Sequence, residues 1–251
     1  LETVAFYGNY TLITQKIQSL LDSFLGSTYA GVGNLIAEGD KKKIIKVYWE
    51  LAFIRFLLSG TVVFALYKML PSFIELWLGA EYILPTSVLL IILIYYYLLV
   101  NRGVTDQFIN GYALFYDTWA PLAESAIYII TAVVGGYFCG LEGVLLGNVI
   151  STALIIYIWK PFFLFTKGFC VSVWRYWKEW IKYVSLFIVS CVLSEFIVSQ
   201  FNIIASDGWG QWIAMGFCCT VIVFVIYGGS LWLFTTGARD CIIRIMHRIK
   251  K

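Results

Sequence analysis

Charged residues are scarce in this sequence: Lys, Arg, Asp and Glu together make up only 13% of its 251 residues. A soluble globular domain carries about 25%. Hydrophobic residues reach 61% and the mean hydropathy is +0.82, so a soluble core wrapped in a polar surface is excluded. The apolar residues form long runs instead, which is typical of helices that cross a membrane.

Residue types that many enzymes and metal sites need are also missing. The sequence has a single histidine, His247, and its six cysteines form no CxxC pair, so neither a zinc site nor a disulfide framework is predicted. It contains no GxSxG segment and no GxxxxGK(S/T) segment. We therefore expect no enzyme activity, no metal and no cofactor, and any energy coupling within this chain would use a H+ or Na+ gradient or the membrane potential.

Seven apolar windows are each long enough to cross a membrane as a helix of about 20 residues. They cover residues 7–37, 48–69, 84–104, 118–138, 141–162, 181–201 and 211–234. The predicted fold is therefore all-α, a polytopic transmembrane helix bundle.

Lysine and arginine are unevenly distributed between the two ends of these spans. If the spans alternate in direction, fifteen of the cations lie at one end and only Lys68 lies at the other. Because Lys and Arg accumulate on the cytoplasmic side, the N-terminus of this chain is predicted to be outside and the C-terminus cytoplasmic. The cations flank apolar runs and form no separate basic surface, so nucleic-acid binding is not expected.

Two segments at the cation-rich end are predicted to lie along the membrane. Residues 166–182 interleave three tryptophans with basic side chains, and residues 237–251 set isoleucines against arginines and lysines. Both patterns favour an amphipathic helix among anionic head groups. We interpret 166–182 as a cytoplasmic interfacial segment and 237–251 as a basic cytoplasmic tail.

The first predicted span is polar over about half of its circumference when its residues are placed 100° apart. Charged groups at membrane depth are costly, and they usually line a substrate or ion path. The alternative is a contact between Lys16 and Asp22 that only neutralises both. The substrate-cavity candidates on this helix are Asn9, Gln15, Lys16, Gln18 and Asp22.

Two later spans each add one charged candidate. Arg55 offers a forked set of donors that suits a phosphate; the alternative is an interfacial side chain paired with Glu50. Glu124 lies deep in the fourth span and is a candidate for protonation or cation coordination, against an alternative of structural pairing.

Small residues predict close packing around the fourth and fifth spans. Gly136 and Gly140 frame a GxxxG motif, and Gly143, Gly147 and Ser151 continue the same spacing. Helix backbones approach closely where such residues meet.

Six segments, in order between Val4 and Phe169, carry a family resemblance. They are VAFYGNYTLITQ, GNLIAEGDKKK, PSFIELWLGAEYILP, GYALFYDTWAPLAE, GLEGVLLGNVIS and WKPFFLFTKGF. With these segments the chain resembles the C-terminal part of a bacterial polysaccharide flippase, in the oligosaccharide-lipid branch of the multidrug/oligosaccharidyl-lipid/polysaccharide flippase superfamily. It departs from the family at Tyr128, where an asparagine is frequent.

The resemblance implies a domain plan and a location. Residues 1–165 would be five transmembrane helices of the C-terminal flippase lobe, and residues 183–236 would be two additional transmembrane helices. An N-terminal lobe would belong to the parent chain and is missing from this sequence. The protein would lie in the bacterial cytoplasmic (inner) membrane.

The function that the resemblance implies is export of polysaccharide precursors. A polyprenyl-diphosphate-linked oligosaccharide would be flipped by alternating access, with membrane lipids and the missing lobe as further partners. The alternatives are a membrane glycan polymerase or transferase, and a multidrug cation antiporter of the same fold. We expect the isolated chain not to flip substrate, because half of the cavity wall would be absent.

Overall fold

The computed structural model describes residues 2–201 and 205–249; most of these residues are helical, and no strand occurs among them. The α-helices of these residues are α1 (Glu2–Gly26), α2 (Tyr29–Glu38), α3 (Lys41–Trp77), α4 (Thr86–Gly111) and α5 (Trp119–Leu154), followed by the short α6 (Lys160–Phe163), α7 (Trp174–Val198), α8 (Trp209–Phe234) and α9 (Thr236–Ile249). Turns of π-helix at Ile155–Trp159 and Leu164–Gly168 join α5 and α6 into one helical segment that ends at Gly168.

Five of these helices are long and apolar enough to cross a membrane. They are Lys41–Trp77, Thr86–Gly111, Trp119–Gly168, Trp174–Val198 and Trp209–Phe234. The prediction of an all-helical bundle with several membrane-spanning helices is thereby confirmed. Helix α1 is not among the five because polar residues fill half of its surface.

The 50-residue helical segment from Trp119 to Gly168 folds back on itself as a helical hairpin. Its backbone leaves the helical region at Gly140, with φ 60° and ψ −135°. Thr152 Oγ1 donates to Glu124 Oε1 over 3.4 Å, whereas a straight helix would hold these residues about 42 Å apart. The segment therefore consists of two antiparallel arms, 119–139 and 141–168. The predicted spans 118–138 and 141–162 correspond to these arms.

Glycines bring the two arms into backbone contact. A Cβ on Gly143 would overlap the carbonyl oxygen of Gly135, and a Cβ on Gly147 would lie 2.9 Å from the backbone nitrogen of Ala132. The close approach predicted from small-residue spacing is found here, between neighbouring arms of one hairpin.

Helix α3 is the centre of the bundle and packs against α4, α8 and α9. Tyr48, fully buried near its start, has its ring 5.2–5.5 Å from the rings of Phe108, Phe165 and Phe169. Its hydroxyl lies 3.0 Å from Thr105 Oγ1. These aromatic contacts join α3, α4 and the second α5 arm at one end of the bundle.

Ion pairs also lie at this end of the bundle. They join Lys46 to Asp240 over 3.1 Å and Lys160 to Asp106 over 2.6 Å. The assignment of fifteen cations to one end of the spans stays a prediction, and Lys250 and Lys251 lie outside the described residues.

Three predicted boundaries differ from the structure. The span 7–37 is divided into α1 and α2, because the hydroxyls of Ser27 and Thr28 bind carbonyls of the last turn of α1, Phe24 and Leu25. Residues 174–182 of the segment 166–182 are the first turns of α7. Residues 237–249 of the tail belong to α9, which packs on α3.

Helix α9 is fastened to α3 by a buried carboxylate. Glu50, only 3% exposed, has its Oε2 3.0 Å from Arg244 Nη2. The backbone at Gly237 lies directly against the carbonyl of Trp49, where a Cβ would overlap it. The isoleucine-bearing tail is therefore held to protein at its inner face.

We expect Arg244→Met to loosen α9, because it leaves the buried Glu50 carboxylate without its cation. The loss of stability should be about 1–2 kcal/mol, since Arg244 is itself 42% exposed. The readout is alkylation of Cys241, a buried residue of α9 itself. Burial, reinforced by the nearby Glu50 carboxylate, raises the pKa of this thiol.

Cys241 should react faster in Arg244→Met, measured by peptide mass spectrometry against the exposed Cys170 as internal reference. Lys46→Met removes the more exposed pair with Asp240 and is the control, with a change of less than about 0.5 kcal/mol. Adding Glu50→Gln to Arg244→Met should restore protection. Unchanged Cys241 reactivity in Arg244→Met would contradict the role of this ion pair.

Candidate functional site

A polar groove runs between α1 and α4. Its first part is a cavity of about 190 Å³ lined by α1, α4 and the second α5 arm, with polar groups from Thr11, Thr14, Gln15, Gln18 and Asn148. Its second part is a cavity of about 250 Å³ nearer the cation-rich end. Gln18 and Leu99 line both parts, so the two cavities adjoin each other, and we refer to them together as the groove.

The second cavity collects most of the charge in the groove. Four helices contribute to its wall: α1, α2, α3 and α4. Its lining residues are Gln18, Asp22, Tyr29, Arg55, Leu99, Arg102, Gly103 and Asp106.

Arg55 is the most buried charge in this wall, at 3% exposure. One guanidinium nitrogen donates to the carbonyl of Val100 over 3.1 Å. No carboxylate among the described residues lies within 4.0 Å of it. A Cβ on Gly103 would overlap the guanidinium, so the absence of a side chain there lets Arg55 reach the cavity.

Asp106 binds two further cations, Arg102 and Lys160. These three side chains and Arg55 form the charged cluster of the site. Its Oδ2 accepts from Arg102 Nε over 2.9 Å, and its Oδ1 accepts from Lys160 Nζ over 2.6 Å. Lys160 is brought here by the second α5 arm. Pro161 lacks an N–H, so the carbonyl of Tyr157 is free of its helical partner and accepts from Trp177 Nε1 over 3.3 Å.

No family model, curated protein or solved structure matches this chain.

Four of the predicted cavity candidates meet in the groove. Gln15 and Gln18 line the first part, and Gln18, Asp22 and Arg55 line the second. Arg55 is not paired with Glu50, which binds Arg244 instead. The residues of α1 that were assigned to a polar half thus come together with the cation of the next long helix.

The other three candidates lie elsewhere. Lys16 is exposed and Asn9 is partly exposed, and neither lines the groove. Lys16 and Asp22 form no ion pair with each other in the structure. Glu124 lies between the α5 arms, where Thr152 donates to it.

Sequence reasoning missed Arg102, Asp106 and Lys160 as members of the site. Arg102 and Lys160 were used only to orient the spans, and Asp106 lay outside the predicted span 84–104. Because α4 continues to Gly111, Arg102 and Asp106 are one helical turn apart on one face. Their i,i+4 spacing of opposite charges was the signal available in the sequence.

Proposed function

We propose that this chain forms part of the wall of a flippase that exports polysaccharide precursors by moving a polyprenyl-diphosphate-linked oligosaccharide across a bacterial inner membrane. The observation that carries the proposal is the pair of adjoining cavities along α1, with polar residues in both and the buried Arg55 in the wall of the second. The sequence segments between Val4 and Phe169 that resemble flippases support it.

The groove has the chemistry that such a head group needs. Sugar hydroxyls find amide and hydroxyl partners in Gln15, Gln18, Thr11 and Asn148. A polar head cannot cross about 30 Å of hydrocarbon without such partners. The cations at the other end of the groove suit a diphosphate.

The remaining polar face of α1 is open. Asp22, Ser19 and Ser23 border a wide recess beyond the groove, and all three are exposed. Exposed polar groups in a membrane need water or protein over them. In the proposed transporter, a second lobe faces this side of α1 and completes the cavity.

The proposed topology has seven spans. They are the α1–α2 pair, α3, α4, the two α5 arms, α7 and α8, with the cation-rich end in the cytoplasm. Rocking of the two lobes against each other would expose the groove alternately to each side.

Genetics tests the proposal in the cell that carries the gene. A strain without the gene for this sequence should lose surface polysaccharide and accumulate its lipid-linked precursor, because precursor synthesis continues while translocation stops. The native gene should restore export, and so should Arg175→Gln, which changes an exposed arginine that does not line the groove.

Two results would contradict the proposal. One is normal export and no accumulated precursor in the deleted strain. The other is export of unpolymerised single repeats, which would indicate a glycan polymerase instead.

A further inference from the structure

The cluster at the end of the groove holds more cations than carboxylates. Asp106 is shared by Arg102 and Lys160, and each of its oxygens binds one of them. Arg55 lines the same cavity and has no carboxylate within 4.0 Å among the described residues. Asp22 also lines this cavity, so the side chains of Arg55, Arg102, Lys160, Asp106 and Asp22 carry three positive formal charges against two negative ones.

Two of these cations face the cavity and are able to bind an anion together. Arg55 and Arg102 come from adjacent helices, α3 and α4, and line one cavity of about 250 Å³. A guanidinium has five donors, and Arg55 gives one to Val100. Forked donors of this kind match phosphate oxygens.

We propose that this cavity binds a phosphate or diphosphate group between Arg55 and Arg102, and that Asp106 competes with that group for Arg102. The phosphate class rests on the proposed function; the competition rests on the geometry of Asp106. The Arg102 nitrogen that Asp106 occupies is one that an incoming phosphate oxygen would otherwise use.

Lys160 makes the competition reversible. When a phosphate takes Arg102, Asp106 keeps its second partner, Lys160, at 2.6 Å and is not left as an unpaired buried charge. When Asp106 returns to Arg102, the phosphate loses one of its two cations. The cluster therefore favours release of the ligand, which a transporter needs as much as binding.

The variants of this cluster should act in opposite directions. Asp106→Asn removes the competing charge with little change of shape, so inorganic pyrophosphate should bind about tenfold more tightly, the scale of one charge-assisted hydrogen bond. Lys160→Met leaves Asp106 to Arg102 alone, so pyrophosphate should bind more weakly than to the native chain.

The measurement is calorimetric titration of the purified full chain in nanodiscs with pyrophosphate, and in parallel with farnesyl diphosphate. A gain for pyrophosphate in Asp106→Asn identifies a free anion as a ligand, and a gain for farnesyl diphosphate identifies a lipid-linked one. Asp240→Asn is the control, since it removes a carboxylate of the same end of the bundle that lies on α9.

Equal or weaker binding of both probes to Asp106→Asn, in a chain that melts like the native one, would overturn the proposal. So would tighter binding to Lys160→Met. These results are independent of the deletion strain: if export survives deletion while the variants bind as expected, the flippase assignment fails and the phosphate site stands.

Discussion

Gly143→Val is expected to separate the two arms of α5 and to destabilise the chain by about 1–3 kcal/mol or more. A Cβ at this position would overlap the carbonyl oxygen and carbon of Gly135. The obstacle is backbone, which cannot rotate aside as a side chain can. The arms must therefore move apart, and their packing along Gly147 and Ala132 is lost with them.

Thermal unfolding of the purified chain in detergent measures this effect. Gly229→Val is the matched control: it also places a β-branched residue in an apolar helix, and no atom lies within 4 Å of the Cβ position there. Gly143→Val should lower the unfolding temperature by several degrees while Gly229→Val changes it little. Equal effects of the two substitutions would contradict the close backbone contact.

The positions of the helices are largely predictable from the sequence. A helix that faces lipid needs an apolar surface, so its residues form a long run of high hydropathy. The reversal at Gly140 was also accessible, since two predicted spans met there. What the sequence did not show is that Gly143 contacts Gly135. The spacing of small residues marks a close approach but does not name its partner.

The candidate site was predictable only in part. Helical periodicity assigned a polar half to α1, and Gln15, Gln18 and Asp22 do line the groove. Lys16 lies at the far edge of that half and is exposed. Which part of a polar face meets a neighbour depends on how the helix is rotated in the bundle, and a single sequence does not contain that rotation.

The cations of the cluster illustrate the same limit. Arg102 and Lys160 are near ends of predicted spans, where basic residues normally report orientation. Only the folded bundle shows that both bind Asp106. Some of the residues that indicate the topology therefore also belong to the proposed phosphate site.

Arg55→Gln is expected to lower glycan export and pyrophosphate affinity at least about tenfold, because it removes the cation that has no carboxylate partner in the described residues. Glutamine keeps an amide donor for the carbonyl of Val100, so the bond between α3 and α4 at this point is preserved. Arg55→Lys keeps the positive charge but not the forked donors of a guanidinium. Its export and pyrophosphate affinity should lie between those of the native chain and of Arg55→Gln. Arg175→Gln is the control.

The thermal stability of Arg55→Gln should change in the opposite direction to its glycan export and pyrophosphate affinity. A guanidinium that is 3% exposed and lacks a carboxylate within 4.0 Å costs free energy in the folded chain. Replacing it with a neutral side chain should therefore raise the unfolding temperature while export falls. A residue with only a structural role would lower both, so a loss of stability that parallels the loss of export would contradict a binding role for Arg55.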